Sequence, residues 1–469
     1  MLFTSPEFLF AFLPVFLGTY FLVAERFRNA PLFLASLFFY YTMSGELALV
    51  LIASVIVNFF VALRIDKTDG GRRKFWLILG IVINLLPLIF YKYAAFFMSN
   101  VNETLDIVGI TSLIPVPKTV LPIGISFFTF QALSYIADVT MRRIKPSQNM
   151  IDFGMYHACF PQLIAGPIVR YEDIQTCITS RTIKLDDVYA GAVRFCFGFA
   201  KKIILADSMG KVADVVFATR PEALHWAPAW IGMIAYTLQI YFDFSGYSDM
   251  AIGIGRILGF TYPENFNQPY RSINITEFWR RWHMTLSQWF RDYVYIPLGG
   301  NRGSTTRTTI NLMIVFFLCG LWHGAAWTFV VWGLWHGGLL LIERYAIKLT
   351  RIQIPPFLAW SLTMIAVMAG WVLFRSSNLG DAWSYLMALG QIRQDPFYPV
   401  VLVRALPIDK CFYMALAIIV ALFPFERLEY IKQKAWFVPL QSVAACGLFA
   451  MAIIMMAANG FNPFIYFRF

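Results

Sequence analysis

The run Phe316–Leu341, FFLCGLWHGAAWTFVVWGLWHGGLLL, carries no charged side chain, yet it holds two of the chain's five histidines, His323 and His336. Basic residues bracket it, with Arg302 and Arg307 before it and Arg344 after it. Short basic loops stay on the cytoplasmic side of a membrane, so both ends of the run are expected there. Only 36 residues separate Arg307 from Arg344, whereas two full crossings take about 40. The run must turn at or short of the far side, and Gly320, Gly324, Ala325 and Ala326 are the turn material. The expectation is a hairpin with His323 near its tip, deep in the membrane, and His336 near the cytoplasmic return.

Composition places the whole chain in the same setting. Hydrophobic residues make up 59% of the 469 and charged residues 14%, with a mean hydropathy of +0.62. A soluble chain is about 25% charged, so the expected class is an all-α polytopic membrane protein with re-entrant and interfacial helices. Apolar windows fall at 8–24, 31–43, 46–63, 75–97, 119–137, 151–168, 188–206, 228–242, 357–374, 412–424 and 436–458, about eleven crossings. The opening MLFTSPEFLF has no basic leader and no small-residue cleavage site, and reads as a first crossing rather than a removed signal. The net charge of +11 sits in short loops, at Arg64–Lys74, Arg142–Lys145, Lys201–Lys202, Arg280–Arg307, Arg344–Arg351 and Arg427–Lys434. That distribution is not a nucleic-acid footprint. It makes these loops cytoplasmic and turns both termini outward, to the periplasm of a bacterial cell. The six cysteines are scattered without metal-type spacing, so neither a disulfide framework nor a metal site is expected. No linker or fixed-period repeat divides the chain, which reads as one domain over 1–469 with its motifs in 121–345.

Two stretches depart from simple spans. In QIYFDFSGYSDMAIGIGRILGF, 239–260, Asp243, Ser245, Tyr247, Ser248 and Asp249 interrupt an apolar segment, and Gly246, Gly253, Gly255 and Gly259 are expected to loosen it. Polar groups at membrane depth are tolerated when buried in protein or lining a wet cavity. The two aspartates read either as helix caps at the membrane edge or as the wall of a reaction chamber. In INITEFWRRWHMTLSQWFRDYVYIPLGG, 273–300, Asn274 and Glu277 form a capping pattern, and Pro297, Gly299 and Gly300 end the helix. Trp279, Trp282, Leu286 and Trp289 share one arc, which predicts a single amphipathic helix at the cytoplasmic interface. His283 falls within that arc, pointing into protein or membrane, in a structural or a functional role.

A buried imidazole is expected to be neutral, and a neutral imidazole can take a proton from a hydroxyl. His323 is then placed to activate an alcohol against a thioester or ester, unless it only bonds to backbone freed by the turn. Cys319 lies four residues earlier and would share its face as a nucleophile or as packing. No G-x-S-x-G, P-loop or H-E-x-x-H occurs, which sets aside most ATP-driven and metalloprotease chemistry.

Several motifs are specific enough to compare. They are LPIGISFFTFQALSYIADV (121–139), PQLIAGPIVR (161–170), YFDFSGYSDMAIGIGRILGF (241–260), NFNQPYRSINITEFWRRWHMTLSQWFRDYVYIPLGGNR (265–302) and LCGLWHGAAWTFVVWGLWHG (318–337). In these the chain resembles the membrane-bound O-acyltransferase family, in its bacterial alginate O-acetyltransferase-like branch. The resemblance implies a helical bowl with funnels on both faces and transfer of an acyl group to a hydroxyl. The family's histidine matches His323, and a second, in a W-H-x-[ST] stretch, matches His283. It implies an acetyl donor on the cytoplasmic side, acetyl-CoA, with no bound cofactor. The donor's phosphates suit Arg280, Arg281, Arg291, Arg302 and Arg307, and Asp243, Ser245, Asn265, Trp279 and Trp322 complete the set of donor- or substrate-binding candidates. The acceptor is an alginate-like extracytoplasmic polysaccharide or a periplasmic partner of SGNH type, reached from the inner membrane and its lipid. Other readings stay open: peptidoglycan or cellulose acetylation, teichoic-acid D-alanylation, lipid acylation, a transporter using Asp243 and Asp249, or a scaffold.

Overall fold

A chain this apolar satisfies its backbone within helices, and among the described residues every regular element is helical. The computed structural model describes residues 1–110, 114–220, 224–347, 354–391, 398–459 and 464–465. Among the described residues, five runs are long and apolar enough to cross a membrane: Glu25–Asp66, Gly70–Ile107, Thr305–His323, Pro356–Arg375 and Phe437–Ala458. The eleven crossings expected from hydropathy exceed this number. Windows 119–137 and 412–424, for example, form helices of 16 and 15 residues, short of the roughly 20 that a straight span needs. Contacts divide the chain into two compact units, Met1–Gly191 with Ile254–Pro263, and Ala192–Gly253 with Glu264–Phe469.

The first unit contains α1 (Leu13–Leu22), α2 (Asn29–Ser44), α3 (Ala48–Asp66), α4 (Gly70–Leu88), α5 (Ala94–Ile107), α6 (Ile125–Thr140) and α7 (Met150–Ala158). The run Glu25–Asp66 is too long for one span and parts at Gly45, between α2 and α3. Phe3, Phe8, Phe16, Phe39 and Phe160 bury one aromatic cluster. A polar seam runs beside it. Asn58 and Asn84 exchange amide hydrogen bonds at 2.9 and 2.7 Å, and Ser54 Oγ lies 2.9 Å from His157 Nε2. Reciprocal amide pairs tie neighbouring helices where no water competes. Helix α5 continues to Ile107, and residues 111–113 lie outside the described set.

The motifs at 121–139 and 161–170 lie in the first unit, and the second holds the helices that follow. They are α8 (Leu185–Ala200, which begins in the first unit), α9 (Asp207–Phe217), α10 (Trp226–Ile257), α11 (Ile275–Arg281), α12 (Met284–Phe290), α13 (Thr305–His323), α14 (Trp327–Leu341), α15 (Pro356–Arg375), α16 (Leu379–Ala388), α17 (Ile408–Leu422) and α18 (Phe437–Asn459). Helix α10 stays helical through its polar residues instead of loosening at its glycines. The reason is a close crossing: a Cβ on Gly198 would lie 2.7 Å from the Gly246 carbonyl oxygen, and one on Gly246 would lie 2.7 Å from that of Gly198. Only glycine lets the α8 and α10 backbones approach so closely. Beyond α15 the chain forms the short helix α16. Ala382, Tyr385 and Ala388 are buried in it, against a core of Val216, Met233 and Val372.

Candidate active site

The expected hairpin is present. Helix α13 runs unbroken through Gly320 to His323, Gly324–Ala326 turn the chain, and α14 returns. Gly320 is not part of the turn. A Cβ there would strike the Phe329 carbonyl oxygen, and one on Gly333 would strike that of Phe316. These two glycines are the contact on which the hairpin closes, and they hold His323 at the end of α13. The His323 ring is buried among Trp322, Trp332 and Phe374, with centroids 4.8, 4.9 and 5.2 Å away and all three near-perpendicular. Cys319 shares its helix face and is also buried.

His283 does not sit inside one long interfacial helix. Residues 275–295 form two short helices and a π-turn, and the first break falls at Trp282 and His283. His283 takes the left-handed backbone conformation, φ 43° and ψ 54°, which costs roughly 1–2 kcal/mol for a residue with a Cβ. Asn265 accounts for the break. Its carbonyl oxygen accepts from Met284 N at 3.0 Å. Its Oδ1 accepts from Thr285 Oγ1 at 2.9 Å and from Thr285 N at 3.4 Å, and lies 3.0 Å from His283 Nδ1. Its Nδ2 donates to Ser248 Oγ at 3.1 Å. Asn267 N adds a bond to the Arg281 carbonyl at 2.9 Å. These tertiary bonds outbid helix continuation. Burial pulls the His283 imidazole down to about 3, so the ring is neutral at any physiological pH.

The histidines are linked through tryptophans. Trp322 lies 5.9 Å from the His283 ring and 4.8 Å from His323, while Trp332 lies 4.9 Å from His323 and 5.1 Å from His336. Trp279 packs on His336 and Trp332. Thus His323, His283, Asn265, Trp279 and Trp322 all fall within the second unit in a buried, aromatic neighbourhood. Glu343, on the return from α14, accepts from Ile275 N and Thr276 N at 2.8 and 3.1 Å and so anchors the start of α11.

Other candidates fall elsewhere. Asp243 is neither a helix cap nor an open chamber wall: its carboxylate pairs with buried Lys202 at 2.8 Å and accepts from Ile465 N at 3.1 Å. Asp249 binds Lys201 and Arg194 at 2.6 and 2.9 Å, and Arg194 also holds Glu264. Both aspartates are occupied by cations that the α8–α10 crossing brings to them. Ser245 is buried, with no hydrogen-bond partner for its hydroxyl among the described residues. Of the arginines, Arg280, Arg291, Arg302 and Arg307 are exposed. Arg281 pairs with Glu277, and Arg291 pairs with Asp292. The sequence reading missed Phe374, which lies in a segment it read only as hydropathy, and Thr285, although Thr285 is the fourth residue of the W-H-x-[ST] stretch.

Fold and site together define a polytopic helical membrane enzyme with imidazoles held in apolar surroundings. The sequence model of the membrane-bound O-acyltransferase family matches residues 37–379, and the chain belongs to that family. It is a membrane O-acyltransferase. Its relatives include a probable alginate O-acetylase, AlgI, of Pseudomonas aeruginosa, 46% identical over 83% of this chain and 75% of that protein. A protein of the same name from Pseudomonas putida is 39% identical over the full length of both. A peptidoglycan O-acetyltransferase of Helicobacter pylori is 34% identical over 100% of this chain and 98% of its own.

Proposed function

We propose that this enzyme moves an acetyl group from a cytoplasmic thioester, acetyl-CoA, across the bacterial inner membrane to a hydroxyl of an extracytoplasmic, alginate-like polysaccharide. The observation that carries the reading is the position of His323, buried at the tip of a hairpin whose two ends are bracketed by basic loops. A cytoplasmic donor and an outer acceptor meet at such a point. His323 removes the hydroxyl proton as the oxygen attacks the acyl carbon, and the thiolate leaves. His283 orients the donor. Exposed Arg280 and Arg302 receive the donor's phosphates. The acetyl group reaches the sugar directly or by way of a periplasmic partner of SGNH type. The naming of full-length relatives as alginate O-acetylases supports the acetyl group and the polymer class.

A general base contributes about 10²–10⁴-fold. His323→Ala in reconstituted membranes is expected to lose labelled-acetyl transfer by at least the lower figure with expression intact. Transfer within a few-fold of wild type removes His323 from the base role. The Helicobacter relative, matched along nearly its whole length, favours peptidoglycan as a second acceptor. Mass analysis of envelope glycans with and without the gene separates the two, because the polymer that loses acetyl groups is the substrate.

A further inference from the structure

The identity of the atoms around His283 is fixed by a backbone group. Thr285 N can only donate, and it points at the Asn265 atom that also faces the ring. That atom is therefore the oxygen, and the Asn265 amide cannot be flipped. Ser248 Oγ, on the other side, takes the Nδ2 hydrogen. An oxygen opposite His283 Nδ1 at 3.0 Å requires the proton on Nδ1. The other ring nitrogen, Nε2, then carries a lone pair. It is fully buried and has no hydrogen-bond partner among the described residues, and the ring that bears it packs with Phe244 edge-on and with Trp322, at centroid separations of 4.7 and 5.9 Å. A buried acceptor left bare is costly, and the left-handed backbone at His283 adds to that cost. Strain and an unmet acceptor at one residue mark a place prepared for a ligand.

We propose that Asn265 is a positioning residue that locks His283 as its Nδ1–H tautomer, so that the bare Nε2 receives a hydrogen bond from an O–H or N–H group of a substrate. This rests on the reading of the chain as an acyltransferase that joins a thioester donor to a hydroxyl. In the resting enzyme Nε2 has no proton to give, so His283 cannot protonate the departing thiolate; it can only accept. Two substrate groups have the required chemistry: the acceptor hydroxyl, and the amide N–H of a pantetheine-type donor arm.

The first test does not depend on activity. Protein labelled with 15N-histidine in nanodiscs, with the His283 signals found by difference against His283→Gln, is expected to show a protonated Nδ1 and a bare Nε2. Asn265→Leu is expected to give mixed tautomers. Should that variant fail to fold, Asn265→Asp serves, since a carboxylate draws the Nδ1 proton more strongly and must shift its resonance. A protonated Nε2 in the wild type, or an Nδ1 signal unmoved in Asn265→Asp, overturns the proposal. The second test uses acetyl-pantetheine and its N-methylated amide analogue as donors. If the donor amide fills the site, methylation raises the wild-type KM about tenfold and Asn265→Leu erases the difference. If the hydroxyl fills it, methylation is silent and Asn265→Leu lowers kcat with donor KM unchanged. Wild-type kinetics in Asn265→Leu with both donors overturns it. A chain inert with every thioester while the tautomer is as stated defeats the acyltransfer reading and leaves the lock standing.

Discussion

At the scale of single residues, the clearest contrast is between His323 and Asp243. His323 was legible because its surroundings are local: an uncharged run, its flanking arginines and a count of residues place it. Asp243 was not, because the cation that binds it, Lys202, lies 41 positions away on another helix. The pairing of His283 with Asn265, 18 residues apart, was hidden for the same reason. Lys202 and Asp243 are both almost fully buried. Removing one partner of such a pair leaves an uncompensated charge, whereas replacing both with apolar groups is often neutral. Lys202 also holds partly exposed Asp207 at 2.6 Å, so Asp243→Leu is expected to cost up to about 3 kcal/mol and to lower the thermal midpoint in detergent, and Lys202→Met with Asp243→Leu to recover most of it, because Asp207 reaches water. Acetyl transfer should recover along with stability. A double variant that is stable yet inactive would return Asp243 to the substrate-binding set.

At the scale of elements, hydropathy located the helices and small residues set how they meet. The hairpin of α13 and α14 followed from its length, and the turn at Gly324–Ala326 followed from composition. The function of Gly320 and Gly333 did not, because a glycine read along one helix does not show which backbone it faces. The 275–295 helix was misjudged in the opposite sense. Its amphipathic period is real, yet Asn265 and Asn267 hold the chain open at 281–285. Tertiary hydrogen bonds outweigh a propensity worth only tenths of a kcal/mol per residue. The Gly320–Gly333 crossing makes a prediction with an internal control. Alanine at either site forces α13 from α14, which shifts His323, and displacement of a reacting group by about 1 Å can cost on the order of 100-fold. Gly338 lies on α14 with nothing within 4 Å of an added Cβ. Gly320→Ala and Gly333→Ala should each lower kcat by about 10–100-fold, while Gly338→Ala should match wild type. Three variants with equal activity would mean that the crossing does not position the histidine.

At the scale of the whole molecule, a charged fraction of 14% and a mean hydropathy of +0.62 sufficed for the class, since only helices carry so apolar a chain across a bilayer. The number of crossings was less legible. Hydropathy windows do not distinguish a straight span from a short or bent helix packed against others, and the protein has both kinds. The charge pattern bears on the proposed direction of the reaction. The surplus of 38 basic over 27 acidic residues lies in the loops between apolar segments, which the positive-inside rule assigns to the cytoplasm. Arg280 and Arg302 sit exposed in one of these loops, on the side where the proposed donor is made. Arg302→Cys, in a chain whose own six cysteines are replaced by serine or alanine, should then react with a membrane-impermeant maleimide in inverted vesicles and not in intact spheroplasts. Exposed charge contacts are worth up to about 1 kcal/mol, so Arg280→Ala and Arg302→Ala should each raise the donor KM about five-fold, with kcat held. The effect should shrink as salt screens the phosphates. Labelling from the outer face would reverse the orientation and place the donor on the wrong side of His323. Unchanged KM with inward labelling would keep the orientation and move the donor's phosphates to other residues.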